Sequence, residues 1–167
     1  MLAKRGEDAV AALASAIATS RTAGVRREAV WALTRIGSHA ARSGVRDALD
    51  DADSDVRQAA IHSVSLWRDN HAIPQLITIL NSRSGHHRRA AAEALGRIGD
   101  PRAVAPLLRT AEGELDRVLA HSLTFALIEI ADPTRTAIGL RSSVPNARRA
   151  ALLALSLIHI SEPTRRT

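Results

Sequence analysis

Apolar residues recur along this chain at helical spacing, and the pattern itself recurs. Ala29/Leu33/Ile36, Ala60/Val64/Trp67, Ala91/Leu95/Ile98 and Leu123/Leu127/Ile130 each set three apolar side chains on one helix face. Their middle members, Leu33, Val64, Leu95 and Leu127, stand 31, 31 and 32 residues apart. A period in this range predicts stacked helical units, each too small to bury its own stripe, so neighbours must supply the other half of the core. The expected fold class is all-α, a right-handed α-solenoid of about five stacked helix pairs.

Within a unit the stripe marks a helix A, and a second stripe marks a helix B. In the third unit helix A is predicted over His87 to Ile98, ending at Gly99, which tolerates a left-handed backbone. Asp100 then caps helix B, with Pro101 at its first position. The same signals recur as Ala131-Asp132-Pro133, as Gly37-Ser38 and, more loosely, as Asp69-Asn70. The helix B stripes are Val45/Leu49, Ile73/Leu76/Ile77/Leu80 and Val104/Leu107/Leu108/Ala111. Pro74 lies close enough to an Asn70 cap to be harmless, whereas Pro106 should bend its helix or move its start. Asp8 to Ile17, with Val10 and Leu13, reads as helix B of an earlier unit, and Asn146 to Leu155 reads as a further helix A. A stack cut in mid-unit leaves apolar ends, so self-association through Val10/Leu13 and Leu152/Leu153/Leu155 is expected.

Composition sharpens this picture. Aromatics make up 2% of the residues, so the core must be built from small and aliphatic side chains and leaves no room for an aromatic-lined pocket of ordinary size. Absence of cysteine excludes disulfides, thiolate metal sites and a thiol nucleophile within these residues. No apolar run is long enough to span a bilayer, and Gly6-Glu7-Asp8 interrupts any signal-like start, so the default compartment is the cytoplasm. The net charge of +6 is almost wholly arginine, Lys4 being the only lysine. That excess matches the coding bias of a GC-rich genome, which weakens the charge as an argument for nucleic acid.

The wording of Asp53-Ser54-Asp55-Val56-Arg57-Gln58-Ala59-Ala60 and of Arg88 to Val104 resembles the short HEAT-like repeats of the phycobilisome-lyase type. The resemblance spans Asp8 to Leu155 and implies a fold rather than a function, since such repeats serve as scaffolds, chromophore lyases, iron hydroxylases and DNA glycosylases. Val30 to Ile36 and Asp116 to Ile130 are also similar to HEAT segments of large bacterial proteins that join a dehydrogenase-like propeller to a cytochrome domain. Leu155 to Arg165 resembles the translation of a sequencing-library adapter. On that resemblance residues 1–155 form the repeat region and 156–167 a tail without selected function, whose Leu157/Ile158/Ile160 can still extend the last helix.

Candidate chemistry is sparse. Arg26, Arg57, Arg88 and Arg148 occupy one repeat position, with Ala120 breaking the series. An anion ladder is one reading; pairing with loop acids such as Asp53 or Asp55, or with the neighbouring repeat, is the simpler one, because a residue repeated with the fold usually serves it. A di-iron site would need recurring His-Glu pairs, and none of His39, His62, His71, His86, His87, His121 or His159 precedes a glutamate. These are read as solvent-exposed loop histidines, with no metal or cofactor. Trp67 shares the Ile36, Ile98 and Ile130 position and is expected in the core. Trp31 shares a variable position with His62, Glu93 and Phe125 and is expected to be partly exposed. The functional expectation is a non-catalytic scaffold that binds a protein or sister domain along its B helices. The alternatives are the HEAT section of a larger dehydrogenase/cytochrome-type protein and a nucleic-acid-binding module.

Overall fold

The computed structural model describes residues 2–161, with side chains described at residue 6 and from 8 to 158. Glu162 to Thr167 of the tail, and the side chains of His159 and Ile160, lie outside the described residues. The fold is an all-α solenoid built of HEAT-like helix pairs, and no strand occurs among the described residues. It divides into two compact units, up to Gln75 and from Leu76 onward.

The first unit holds α1 (Leu2–Thr19), α2 (Ala23–Ile36), α3 (His39–Asp47), α4 (Ser54–Leu66) and the start of α5 (Ile73–Leu80). α2 and α4, both A helices, pack side by side, and α1 packs on α2 and α3 as a helix B would. The second unit holds the remainder of α5, α6 (Gly85–Ile98), α7 (Val104–Thr110), α8 (Arg117–Ile130), α9 (Pro133–Thr136) and α10 (Pro145–Ser161). Here α6 packs on α8 and α8 on α10, with α7 and α9 behind them.

One helix ending is used four times. Gly37, Arg68, Gly99 and Ala131, spaced like the stripes, have φ of 64, 51, 78 and 53°. This left-handed turn lets a main-chain N–H just past each helix reach back to the carbonyl of the central stripe residue: Gly37 to Leu33, Asp69 to Val64, Gly99 to Leu95 and Ala131 to Leu127. Ser38, Asp69, Asp100 and Asp132 follow at once, and their side chains accept main-chain N–H groups of the next segment. The cap in the second repeat is Asp69 and not Asn70. Its other carboxylate oxygen takes the Arg46 guanidinium at 2.7 Å, so this buried acid is paired as well as capping. Asp100 opens a 3-10 turn at Pro101–Ala103, and the α-helix proper begins at Val104. Pro106 therefore lies in the first turn of α7, where no intrahelical N–H is owed.

Leu33, Val64, Leu95 and Leu127 are all fully buried, each a core contribution of about 1.5–3 kcal/mol. Small residues between them set the helix spacing. An added Cβ at Gly96 would lie 2.7 Å from Ala126 Cα, so α6 and α8 meet at backbone contact distance.

The outermost stripe position departs from expectation in the first unit. Ile98 and Ile130 are buried, but Ile36 is 42% exposed. It faces Gly6, Val10, Ala11 and Ala14 of α1 across a space of about 400 Å³, and these mostly small residues are too short to cover it. Trp67 is half-buried instead of core: it ends α4, its indole Nε1 lies near Gly37, and the Arg42 guanidinium sits 5.2 Å above the ring. In α5 the buried set is Ile73, Leu76, Ile79 and Leu80, while Ile77 is half-buried, as is Leu13 in α1.

The last helix runs across position 155/156. α10 continues to Ser161, burying Ala147, Ala150, Ala151, Ala154 and Ile158. Ile158 stands in the position of Ile98 and Ile130, so the tail's apolar side chain completes the stripe of the last A helix.

Candidate functional site

The arginine series shows what the repeat position does. Each guanidinium turns back onto the loop that precedes its own helix and donates to main-chain carbonyls there. Arg26 reaches the Ser20 carbonyl at 2.9 Å and Arg57 those of Asp51 and Ala52 at 2.5 and 2.9 Å. Arg88 reaches Leu80 at 3.1 Å, and Arg148 reaches Ser142 and Ser143 at 2.8 and 2.9 Å. These carbonyls close or follow helix B, where acceptors are left without intrahelical donors, so the arginine is a clamp across the B-to-A loop. Asp53, instead of pairing with an arginine, caps α4 by accepting from the N–H groups of Asp55 and Val56. Arg26 alone adds a carboxylate: Asp51 of the next loop is gripped by Nε and Nη2, both at 2.7 Å. That hydrogen-bonded fork, acting against the burial of the acid, holds the Asp51 carboxyl below the usual carboxylate range.

His87 corrects the expectation of exposed loop histidines. It is 2% exposed, in the first turn of α6. The register explains this: counted back from Leu95 it holds the place that Val56 and Leu119 hold in their repeats, which is a core place. His39, His62, His71, His86 and His121 are exposed, although most of them lie on helices and not in loops. Among the described residues no three of His, Asp and Glu converge as metal ligands. Trp31 is half-buried and packs edge-on against His62, with ring centroids 5.5 Å apart; Glu93 and Phe125 at the same position are exposed.

The B helices of the second unit form the better-defined recess. Between α7 and the segment formed by α9 and the 3-10 turn that continues it (Ala137–Arg141) lies a groove of about 490 Å³, lined by Leu108, Ile138 and Gly139 with Arg109, Arg135 and Arg141 around it. Gly139 is required there, since a Cβ would come within 2.7 Å of Leu108 and 2.8 Å of Ala151. Ile138 stands 66% exposed, the most uncovered large apolar side chain described. Glu112, the one acid on the rim, accepts from the Ser142 hydroxyl at 2.6 Å. Arg135 is paired with Asp132, but Arg109 and Arg141 have no side-chain partner among the described residues. The recess thus offers an apolar floor and an excess of donors with positive charge. Sequence periodicity located the B helices but gave no sign of this groove, which lies where α9 is short and gives way to a 3-10 turn.

Two layers of paired helices with small residues at their contacts define the class as an α-solenoid repeat protein. The family model for HEAT repeats matches residues 1–65 and 43–128, and the chain belongs to that family. Among solved structures it is similar to the CpcE–CpcF complex of phycocyanin lyase from Nostoc sp., with a TM-score of 0.66 and 21% identity over 87% of this chain and 63% of that one. Human deoxyhypusine hydroxylase is matched with a TM-score of 0.60 and 20% identity, over 93% of this chain and 65% of that one. A designed armadillo repeat protein in complex with peptide (KR)4 gives a TM-score of 0.60 and 17% identity, over 87% and 80%. The chain thus spans less than two thirds of the lyase and hydroxylase chains. No curated protein matches. At these identities the likeness is one of fold. No helix among the described residues is long and apolar enough to cross a membrane.

Proposed function

We propose that this chain is a non-catalytic interaction module that holds a protein partner or sister domain against its B helices, with the α7/α9 groove as the principal contact. The observation that carries the reading is the exposed Ile138 set beside Arg109 and Arg141, an apolar anchor point next to unengaged positive charge. Such a site suits a segment that presents an apolar side chain among acidic ones, because buried apolar area supplies affinity and charge complementarity supplies orientation and rate. The designed armadillo neighbour was solved with the basic peptide (KR)4; the arginines around the groove of this chain suit an acidic segment instead. The partner can equally be a sister domain of the same polypeptide, as in the dehydrogenase/cytochrome-type arrangement.

Selection of displayed random peptides on the purified chain tests this. Acidic sequences with one or two large apolar residues should be enriched, and Arg109→Glu with Arg141→Glu should weaken the selected peptide at least tenfold. No enrichment, or equal binding by the reversed variant, would refute the reading. Duplex DNA binding that falls steeply with salt and vanishes in the same variant would replace it with the nucleic-acid alternative.

A further inference from the structure

The one repeat that lacks the loop-clamping arginine is also the one whose B-to-A loop is longer. From Leu80 to the cap Ser84 there are four steps, and from Ala111 to the cap Asp116 there are five, which is the source of the 32-residue interval. Where the other A helices carry arginine, α8 has Ala120, half-buried. Beside it opens a cavity of about 400 Å³, within the size range of small-molecule sites. Ala120, Leu123 and Leu153 supply apolar wall, and Arg117, Arg149 and Asn146 border it. Neither arginine has an ion-pair partner among the described residues. One acid, Asp116, shares the lining: one carboxylate oxygen caps α8 by accepting from the Leu119 N–H at 2.7 Å, and the other, on an exposed side chain, lies 4.0 Å from Arg89.

We infer that this cavity is a binding site for a small organic anion, one with a carboxylate or sulfonate on an apolar body. The reasoning is subtractive. In its sisters the repeat position fills the space with a long cationic side chain that satisfies loop carbonyls. At Ala120 that side chain is missing and the loop is lengthened, so space and apolar wall appear together. The two arginines at its mouth lie on different helices, α8 and α10, and can address one anionic group from two sides. This site is separate from the α7/α9 groove and independent of any protein partner bound there.

The probe is anilinonaphthalene sulfonate, followed by fluorescence titration against the intact chain, with uncharged phenylnaphthylamine as its control. The sulfonate should bind saturably and at least tenfold more tightly than the control. Ala120→Arg, which restores the repeat consensus, should abolish binding while leaving helicity and thermal midpoint equal or higher. Arg149→Glu, an exposed change that leaves the fold alone, should weaken the sulfonate at least tenfold and the control less than threefold. Unchanged binding in Ala120→Arg, no preference for the charged probe, or indifference to Arg149→Glu would each overturn the assignment. Because Arg109 and Arg141 are untouched in these variants, failure here leaves the peptide-groove reading standing.

Discussion

Thr136 is completely buried, and its hydroxyl oxygen has no hydrogen-bond partner among the described residues. In register it replaces Ile73 and Val104, both core residues of their B helices. An unsatisfied buried hydroxyl costs about 1–3 kcal/mol, and valine has the same shape without it. Thr136→Val should therefore stabilise the fold by about 1 kcal/mol or more, read as a higher urea midpoint at unchanged m-value. A lower midpoint would mean that the hydroxyl is satisfied in solution. His87 teaches the same lesson from the opposite side: a polar residue at a core register is carried inside by its neighbours on the helix.

At the scale of elements, the contact between α6 and α8 depends on one missing side chain. A methyl group on Gly96 would meet Ala126 Cα and Glu129 Oε2, each at 2.7 Å, and a main-chain atom cannot swing aside. Alanine is the better helix former by about 1 kcal/mol, so local propensity and packing oppose each other here. Overpacking a fixed contact costs about 1–3 kcal/mol, and packing should win. Gly96→Ala is expected to lower the thermal midpoint in calorimetry, whereas Gly6→Ala in α1, where an added methyl meets nothing within 4 Å, should not. An increase for Gly96→Ala would show that the two helices are further apart than described.

For the whole molecule, the capping and clamping acids set how folding responds to pH. Asp51 and Asp100 are held below their ordinary range first by a side-chain hydrogen bond, from Arg26 and Arg102 respectively. Asp132 is held low first by the Arg135 main-chain N–H and then by its side chain. A carboxyl that is more acidic folded than unfolded adds stability above its unfolded value, near 3.9, and loses it as the pH falls through the lower folded value. Both units contain such a group. The share of stability that these three carboxylates carry should persist down to about pH 5 and be lost progressively below about pH 4, read as a fall in thermal midpoint. Asp51→Asn should be less stable at neutral pH and show a shallower fall in acid. Equal acid slopes for the two proteins would remove Asp51 from the account.

Much of this was legible in residue order. Period, stripe and turn chemistry placed the A helices, the left-handed endings at Gly37, Gly99 and Ala131, and the Asp100 and Asp132 caps, because these depend on neighbours a few residues away. The arginine position was visible too, as was its interruption at Ala120. Its partners were not, since main-chain carbonyls look alike in any sequence. Exposure of Ile36, burial of His87 and the cavities beside Ala120 and Ile138 were decided by packing between helices. Whether a side chain is covered depends on the size of residues on another helix, and whether a space opens depends on what those neighbours fail to fill, as beside Ala120.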